Sequence, residues 1–210
     1  MAAPATHIIL AKKFFDKYCP EKNEADFIRG TSFPDIRYIA DIERHNTHTH
    51  NTTLSEIKTA DAFTAGLKVH SLVDLTSSKY FKDSGIIELL PNTEYVIQIL
   101  KTYVDILLYQ KFSSEMWLQY TKYFDQLSNG ELSFGIDEKV IQTWHKIIKE
   151  TIISQPNGSS LITFFKNLHI QNPEEIVIST LEKLQQIEKI KEVTESYYQN
   201  FEQIVREEKG

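Results

Sequence analysis

The sequence predicts an all-α fold, a single multi-helix bundle, on three observations. Glycine and proline are scarce, seven and six in 210 residues, too few for a turn-rich β architecture. Apolar residues recur at helical spacing, and the alternation of a half-buried strand is missing. The clear breaks, at Pro20, Ser128-Asn129-Gly130 and Pro156-Asn157-Gly158, separate stretches of helical length. The chain is long enough to bury a substantial core and reads as one domain. Residues 1–90 form one half, 91–170 add further bundle helices, and a long helix closes the chain over 172–208.

Residues 6–19 predict an amphipathic helix capped by Thr6, with His7, Ala11, Phe14 and Tyr18 on one stripe. Pro20 ends it, and 21–26 is a polar connection. Gly30 is expected in a turn between Phe27 and Phe33. Pro34-Asp35 opens a helical run to Arg44, with proline at the first position and an acid at the positive end of the dipole. Residues 45–53 are too polar and β-branched for a buried helix and read as a loop. That loop presents His48, with His45 or His50 as alternatives.

Residues 62–75 form a helix that is apolar nearly all round, so it is expected at the centre of the domain. Ser77 to Asp83 reads as a polar connection. A long apolar helix spans 93–112, with Asp105 expected on its edge facing Lys101 and Tyr109, or else turned inward as another ligand. Further helices cover 114–127, 138–153 (capped by Asp137) and 160–168. Asn172-Pro173-Glu174-Glu175 starts the last one. Its stripe of Ile178, Leu181, Leu184, Ile187, Ile190, Val193, Tyr197, Phe201 and Ile204 suits packing across a bundle, against a partner, or in a homo-oligomer.

The formal net charge is −6, which argues against a dedicated binder of long nucleic acid. Cys19 is the sole cysteine, so no intramolecular disulfide or thiolate zinc site can form. Lys12 and Lys13 break the N-terminal apolar run, which makes it a poor signal peptide, and no stretch is apolar enough for a transmembrane segment. A cytoplasmic protein is expected.

Chemistry concentrates in the first third. His70 and Asp74 lie at i and i+4 on the central helix and point the same way, with Gly66 one turn earlier leaving room for a close backbone approach. A buried histidine and carboxylate need partners, because an unpaired charge in an apolar interior is expensive. A divalent transition metal is one such partner: zinc first, with iron, manganese or nickel as alternatives. A hydrogen-bonded core pair is the plain alternative. His7, Asp35 and the cluster His45, His48 and His50 lie in the same third. His7 alone reads as a core histidine and Asp35 alone as a helix-start acid.

Thr6-His7-Ile8, Gly30-x-x-x-Pro34-Asp35-Ile36, Thr47-His48 and Gly66-x-x-x-His70-x-x-x-Asp74, in this order, resemble the zinc-dependent phospholipase C superfamily. That group includes bacterial phospholipases C and the S1/P1-type nucleases. The resemblance covers residues 1–75 and implies an all-α bundle of that type. It also implies a hydrolase that attacks a phosphoester with a metal-activated water. Asp35, His48, His70 and Asp74 would hold one metal and His7 a neighbouring one, with Asp35 or Asp74 taking the water's proton. The implied substrate is a small phosphoester or a phospholipid head group.

Arg37 and Arg44, near the ligands in sequence, are candidates to clamp phosphate oxygens, with ion pairs to Asp41 or Glu43 as the alternative. Three-zinc members carry a later His-x-x-x-Glu pair. Here His145 and His169 are followed at i+4 by Lys149 and Pro173, so one or two ions are expected. The competing reading is a non-catalytic helical interaction protein that keeps a structural or degenerate metal site.

Overall fold

Two glycines facing each other set the centre of this molecule. In the computed structural model, which describes residues 3–49, 52–167 and 170–209, Gly30 lies on helix α2 (Glu24–Ser32) and Gly66 on helix α5 (Ala62–Asp83). A Cβ on Gly30 would meet the Phe63 carbonyl oxygen at 2.1 Å, and one on Gly66 would meet that of Phe27 at 2.1 Å. The two helices cross backbone to backbone, which only glycine permits at both positions. Gly66 makes the close approach expected of it. Gly30 does not sit in a turn: it is helical, and its signal belonged to the crossing.

The described residues are all-α, with no strand among them. Helix α1 (Pro4–Tyr18) precedes α2, and a 3-10 turn (Phe33–Tyr38) leads to α3 (Arg44–Thr47) and α4 (Leu54–Thr59). Beyond α5 come α6 (Val96–Tyr109), α7 (Ser114–Lys122), α8 (Asn129–Leu132), α9 (Glu138–Ile153) and α10 (Ser159–Asn167). Helices α11 (Pro173–Gln185) and α12 (Glu188–Lys209) complete the bundle. Among the described residues, no helix is long and apolar enough to cross a membrane.

Helix α5 is central, packing on α1, α2, α4 and α12. Asp61 caps its start by accepting from the Thr64 N–H at 2.9 Å. It runs through Ser77 to Asp83, where a polar connection was expected. Thr76 and Ser77 satisfy their hydroxyls on helix carbonyls at Leu72 and Asp74, and Phe81 is buried, so the segment has a packed face after all. The run from Pro34 to Arg44 shows the opposite departure: one 3-10 turn and then, after irregular backbone, the single turn of α3.

Helix α1 has no side-chain cap of its own, and Thr6 lies inside it. Its free N–H groups are met from elsewhere in the chain. Asp105, buried on α6, accepts from Ala5 N at 3.0 Å and from Thr6 N at 2.6 Å, and takes the Thr6 hydroxyl at 2.5 Å. It does not face Lys101 and Tyr109. It closes the α1 N-terminus from across the core.

The single C-terminal helix expected over 172–208 is two. It breaks at Gln186–Ile187: both halves pack on α6, but α11 turns to α10 while α12 turns to α5 and α1. Leu181, Leu184, Ile190, Tyr197 and Phe201 are buried inside the chain, whereas Ile178 is 51% exposed. The stripe offered to a partner is largely spent on this chain's own core.

Gly66→Ala should lose about 2 kcal/mol or more of stability by chemical denaturation, despite a helix-propensity gain of about 1 kcal/mol, because the clash is with backbone. For Asp105, burial pushes the carboxyl up to about 6 against its hydrogen bonds from Thr6 and Ala5. Between about pH 4 and 6 the folded chain then holds this proton more tightly than the unfolded chain, so the group's contribution falls as pH rises. The stability difference between the parent and Asp105→Ala should therefore shrink by up to about 3 kcal/mol from pH 4 to pH 7 in parallel denaturation curves.

Candidate metal centre

All five residues singled out as ligands meet at one place, brought there by four separate segments. His7 comes from the first turns of α1, Asp35 from the 3-10 turn, His48 from the residue after α3, and His70 with Asp74 from α5. All are buried, the most exposed, Asp74, at 7%. The Thr47 hydroxyl donates to the Pro34 carbonyl at 3.3 Å, and the Thr49 N–H donates to Ser71 Oγ at 3.0 Å. These bonds dock the α3 region onto the 3-10 turn and onto α5, and so carry His48 inward.

The donor atoms form two overlapping groups of three, His7 with His70 and Asp74, and Asp35 with His48 and His70, each within 4.8 Å. Asp74 stands between them. Its Oδ1 lies 3.6 Å from His7 Nε2, and its Oδ2 lies 3.9 Å from both His48 Nε2 and His70 Nε2. The His7 and His70 rings stack with centroids 3.9 Å apart, and His48 meets His70 edge-on at 4.9 Å.

Hydrogen bonds fix which way these rings face. His70 Nδ1 donates to the Thr31 carbonyl at 2.8 Å, which leaves the lone pair of Nε2 aimed at the cluster. His48 Nδ1 is engaged by the Thr47 hydroxyl at 3.1 Å, again leaving Nε2 inward. His7 Nδ1 and Nε2, Asp35 Oδ1, His48 Nε2 and His70 Nε2 are buried with no hydrogen-bond partner. A buried polar atom left unmet costs about 1–3 kcal/mol, and native interiors rarely tolerate several together.

The electrostatics follow from burial. His70 is held well below the ordinary histidine range, first by burial and then by neighbouring His7. His48 is pushed down to about 4 by burial and by Arg44. Both rings are therefore neutral and able to coordinate. Burial also drives the Asp35 carboxyl up. Burial alone would raise Asp74 too, but its interactions with His7 and His70 outweigh that and hold it below the usual carboxylate range.

A divalent ion fits this arrangement. Two donors about 2.1 Å from a shared tetrahedral zinc stand about 3.4 Å apart, so the 3.6–3.9 Å separations around Asp74 close with shifts of a few tenths of an ångström. His70 has one ring nitrogen to offer, which the two groups share. The two Asp74 oxygens face different histidines, a placement suited to a carboxylate between two neighbouring cation positions.

The surrounding residues sort differently. Arg44 pairs with neither Asp41 nor Glu43: its Nη2 lies 3.3 Å from Asp74 Oδ2, on a side chain that is 46% exposed. Arg37 stacks on the Tyr38 ring, 4.2 Å from its centroid, and donates to the Tyr38 hydroxyl, while its Nε is buried without a partner. His45 is exposed beside Glu43, which leaves His48 as the inward histidine among those described in that stretch. His50 and His169 lie outside the described residues. His145 bonds Glu131 at 2.6 Å in a separate buried pair joining α9 to α8.

Sequence reasoning missed the supports: the Thr31 carbonyl, Ser71, and the Asp74 contact of Arg44. A backbone carbonyl carries no sequence signal, though Gly30 and Gly66 taken together mark where the backbones meet. Comparisons with known proteins add nothing to this picture: no family model matches the chain, and no curated protein or solved structure does either.

Elemental mass spectrometry should find one or two equivalents of a transition metal per chain. His70→Ala and Asp74→Ala should lose it while keeping their helical circular dichroism. Chelation of the parent should lower Tm by about 10 °C, the scale of a ligand held far above its Kd in a chain of this size.

Proposed function

We propose that the chain is a metal-dependent hydrolase of phosphoesters, a phospholipase C-like phosphodiesterase, with zinc as the first choice of ion. The observation that supports it is the convergence of His7, Asp35, His48, His70 and Asp74 with five buried polar atoms left unpartnered. The bound ion would supply Lewis acidity, acidifying water and drawing charge from phosphoryl oxygens.

The protein's own groups divide the remaining work. The two carboxylates are pushed in opposite directions, the pattern that separates a proton acceptor from a permanently ionised group. Asp35, raised by burial and with a free Oδ1, is the base that takes the proton of the attacking water. Asp74 stays ionised and holds the histidines in register. Arg44 reaches from solvent to the cluster and offers a planar fork to a phosphate entering there. Arg37, stacked on Tyr38, adds positive charge that acts on Asp35.

A second reading has one observation in its favour. All five donors are buried, as in a structural ion closed off from substrate. In that version the ion ties α1, the 3-10 turn, α3 and α5 together in a non-catalytic interaction protein.

Turnover of bis(4-nitrophenyl) phosphate by the zinc-loaded protein separates the two. Hydrolysis that disappears with chelator, together with an Arg44→Met variant that keeps its metal but loses about tenfold or more in kcat/KM, is the expected result for the hydrolase. Stoichiometric metal with no turnover of this or other phosphodiesters would leave the structural ion.

A further inference from the structure

A second recess, distinct from the metal cluster, opens between α1, α5, α6 and α12. It has a volume of about 150 Å³. Phe81, Leu100, Val104 and Tyr197 wall it with apolar surface, and all four are buried. Ile87 and Ile97, each about two-fifths exposed, form an apolar rim.

Among the described residues, Lys101 is the one charged residue in its lining. The lysine shows no ion pair among the described residues, so its charge is not already committed to a carboxylate of this chain. The described lining thus offers a guest one positive charge and otherwise mostly apolar wall.

We infer that this recess binds a compact amphipathic anion, with a carboxylate or similar head on Lys101 and an apolar body of about six to eight carbons inside. The size follows from the volume, since an apolar cavity of about 150 Å³ accepts a guest the size of benzene. A rigid ring or short alkyl chain fits this space, and a diacyl lipid does not. Ser78, exposed at the edge of the lining, gives the head group one hydroxyl neighbour. The site stands independently of the phosphoesterase reading, because none of the five proposed metal ligands lines it.

Isothermal titration calorimetry with octanoate, butyrate and 1-hexanol on the metal-loaded protein tests it. Octanoate should bind with one-to-one saturation and butyrate at least tenfold more weakly. Lys101→Met, which keeps the apolar stem, should weaken octanoate about fivefold, the size of one half-exposed ion pair, and leave 1-hexanol unchanged. Val104→Trp, filling the recess from inside, and Ser78→Phe, blocking it from an exposed position that the core does not need, should each abolish both ligands.

Absence of saturable octanoate binding would overturn the proposal. So would binding that survives Ser78→Phe, or binding that survives both fillings and vanishes in His70→Ala, which would place the carboxylate on the metal. If Val104→Trp fails to fold, Ser78→Phe decides alone.

Discussion

The backbone crossing of α2 and α5 is the constraint on which the rest depends. Gly30 and Gly66 let the helices approach until Thr31, the residue after Gly30, meets the turn after Gly66, where its carbonyl accepts from His70 Nδ1 at 2.8 Å. That bond fixes the tautomer of His70 and aims its other nitrogen at Asp74. One packing decision therefore sets both the bundle geometry and the chemistry of its centre. A residue with a side chain at either glycine would push Thr31 away from His70 before it disturbed any ligand directly.

Around this crossing, the centre is assembled by borrowed support. Helix α1 starts without its own cap and is closed by Asp105 from α6, which holds His7 at the depth of the cluster. Helix α3 is a single turn, too short to sustain itself, and Thr47 and Thr49 pin it to the 3-10 turn and to α5. Three of the four donor segments are thus positioned by side-chain bonds from other elements. Such an arrangement is specific in geometry and modest in intrinsic stability. An ion bridging the segments would be their strongest common link.

His70 and Asp74 were legible as a pair because positions i and i+4 share a helix face. His7, Asp35 and His48 were not legible one by one: alone they read as a core histidine, a helix-start acid and a member of a polar loop, and only the resemblance of the ordered motifs joined them to the pair. The helix class was legible through periodicity and the scarcity of turn residues. What escaped was tertiary. Gly30 looked like a turn because a glycine that serves a crossing and one that serves a bend have the same local signature. Asp105 looked like an edge residue because the groups it serves lie about a hundred positions away. The break between α11 and α12 has no proline or glycine to announce it, since the packing partners of the two halves decide it. Ser77 to Asp83 read as a connection because polar hydroxyls that bond back to their own helix look, in sequence, like loop residues.

The two functional readings agree on the donors and differ in access, which narrows the question to one side chain. The five donors are buried, so a substrate reaches them only past whatever covers the cluster. Arg44 is nearly half exposed at one end and lies 3.3 Å from Asp74 at the other, and so spans that cover. If its role were only to neutralise Asp74, an ion bound between Asp74 and the histidines would make it redundant, and a second cation would be repelled from the same oxygen. With an ion in place, the guanidinium gains a favourable position by turning outward to an anion at the mouth. A phosphate bridging the ion and Arg44 would satisfy both. Arg44 is thus an awkward partner for a purely structural site and a suitable one for a site that receives an anionic substrate.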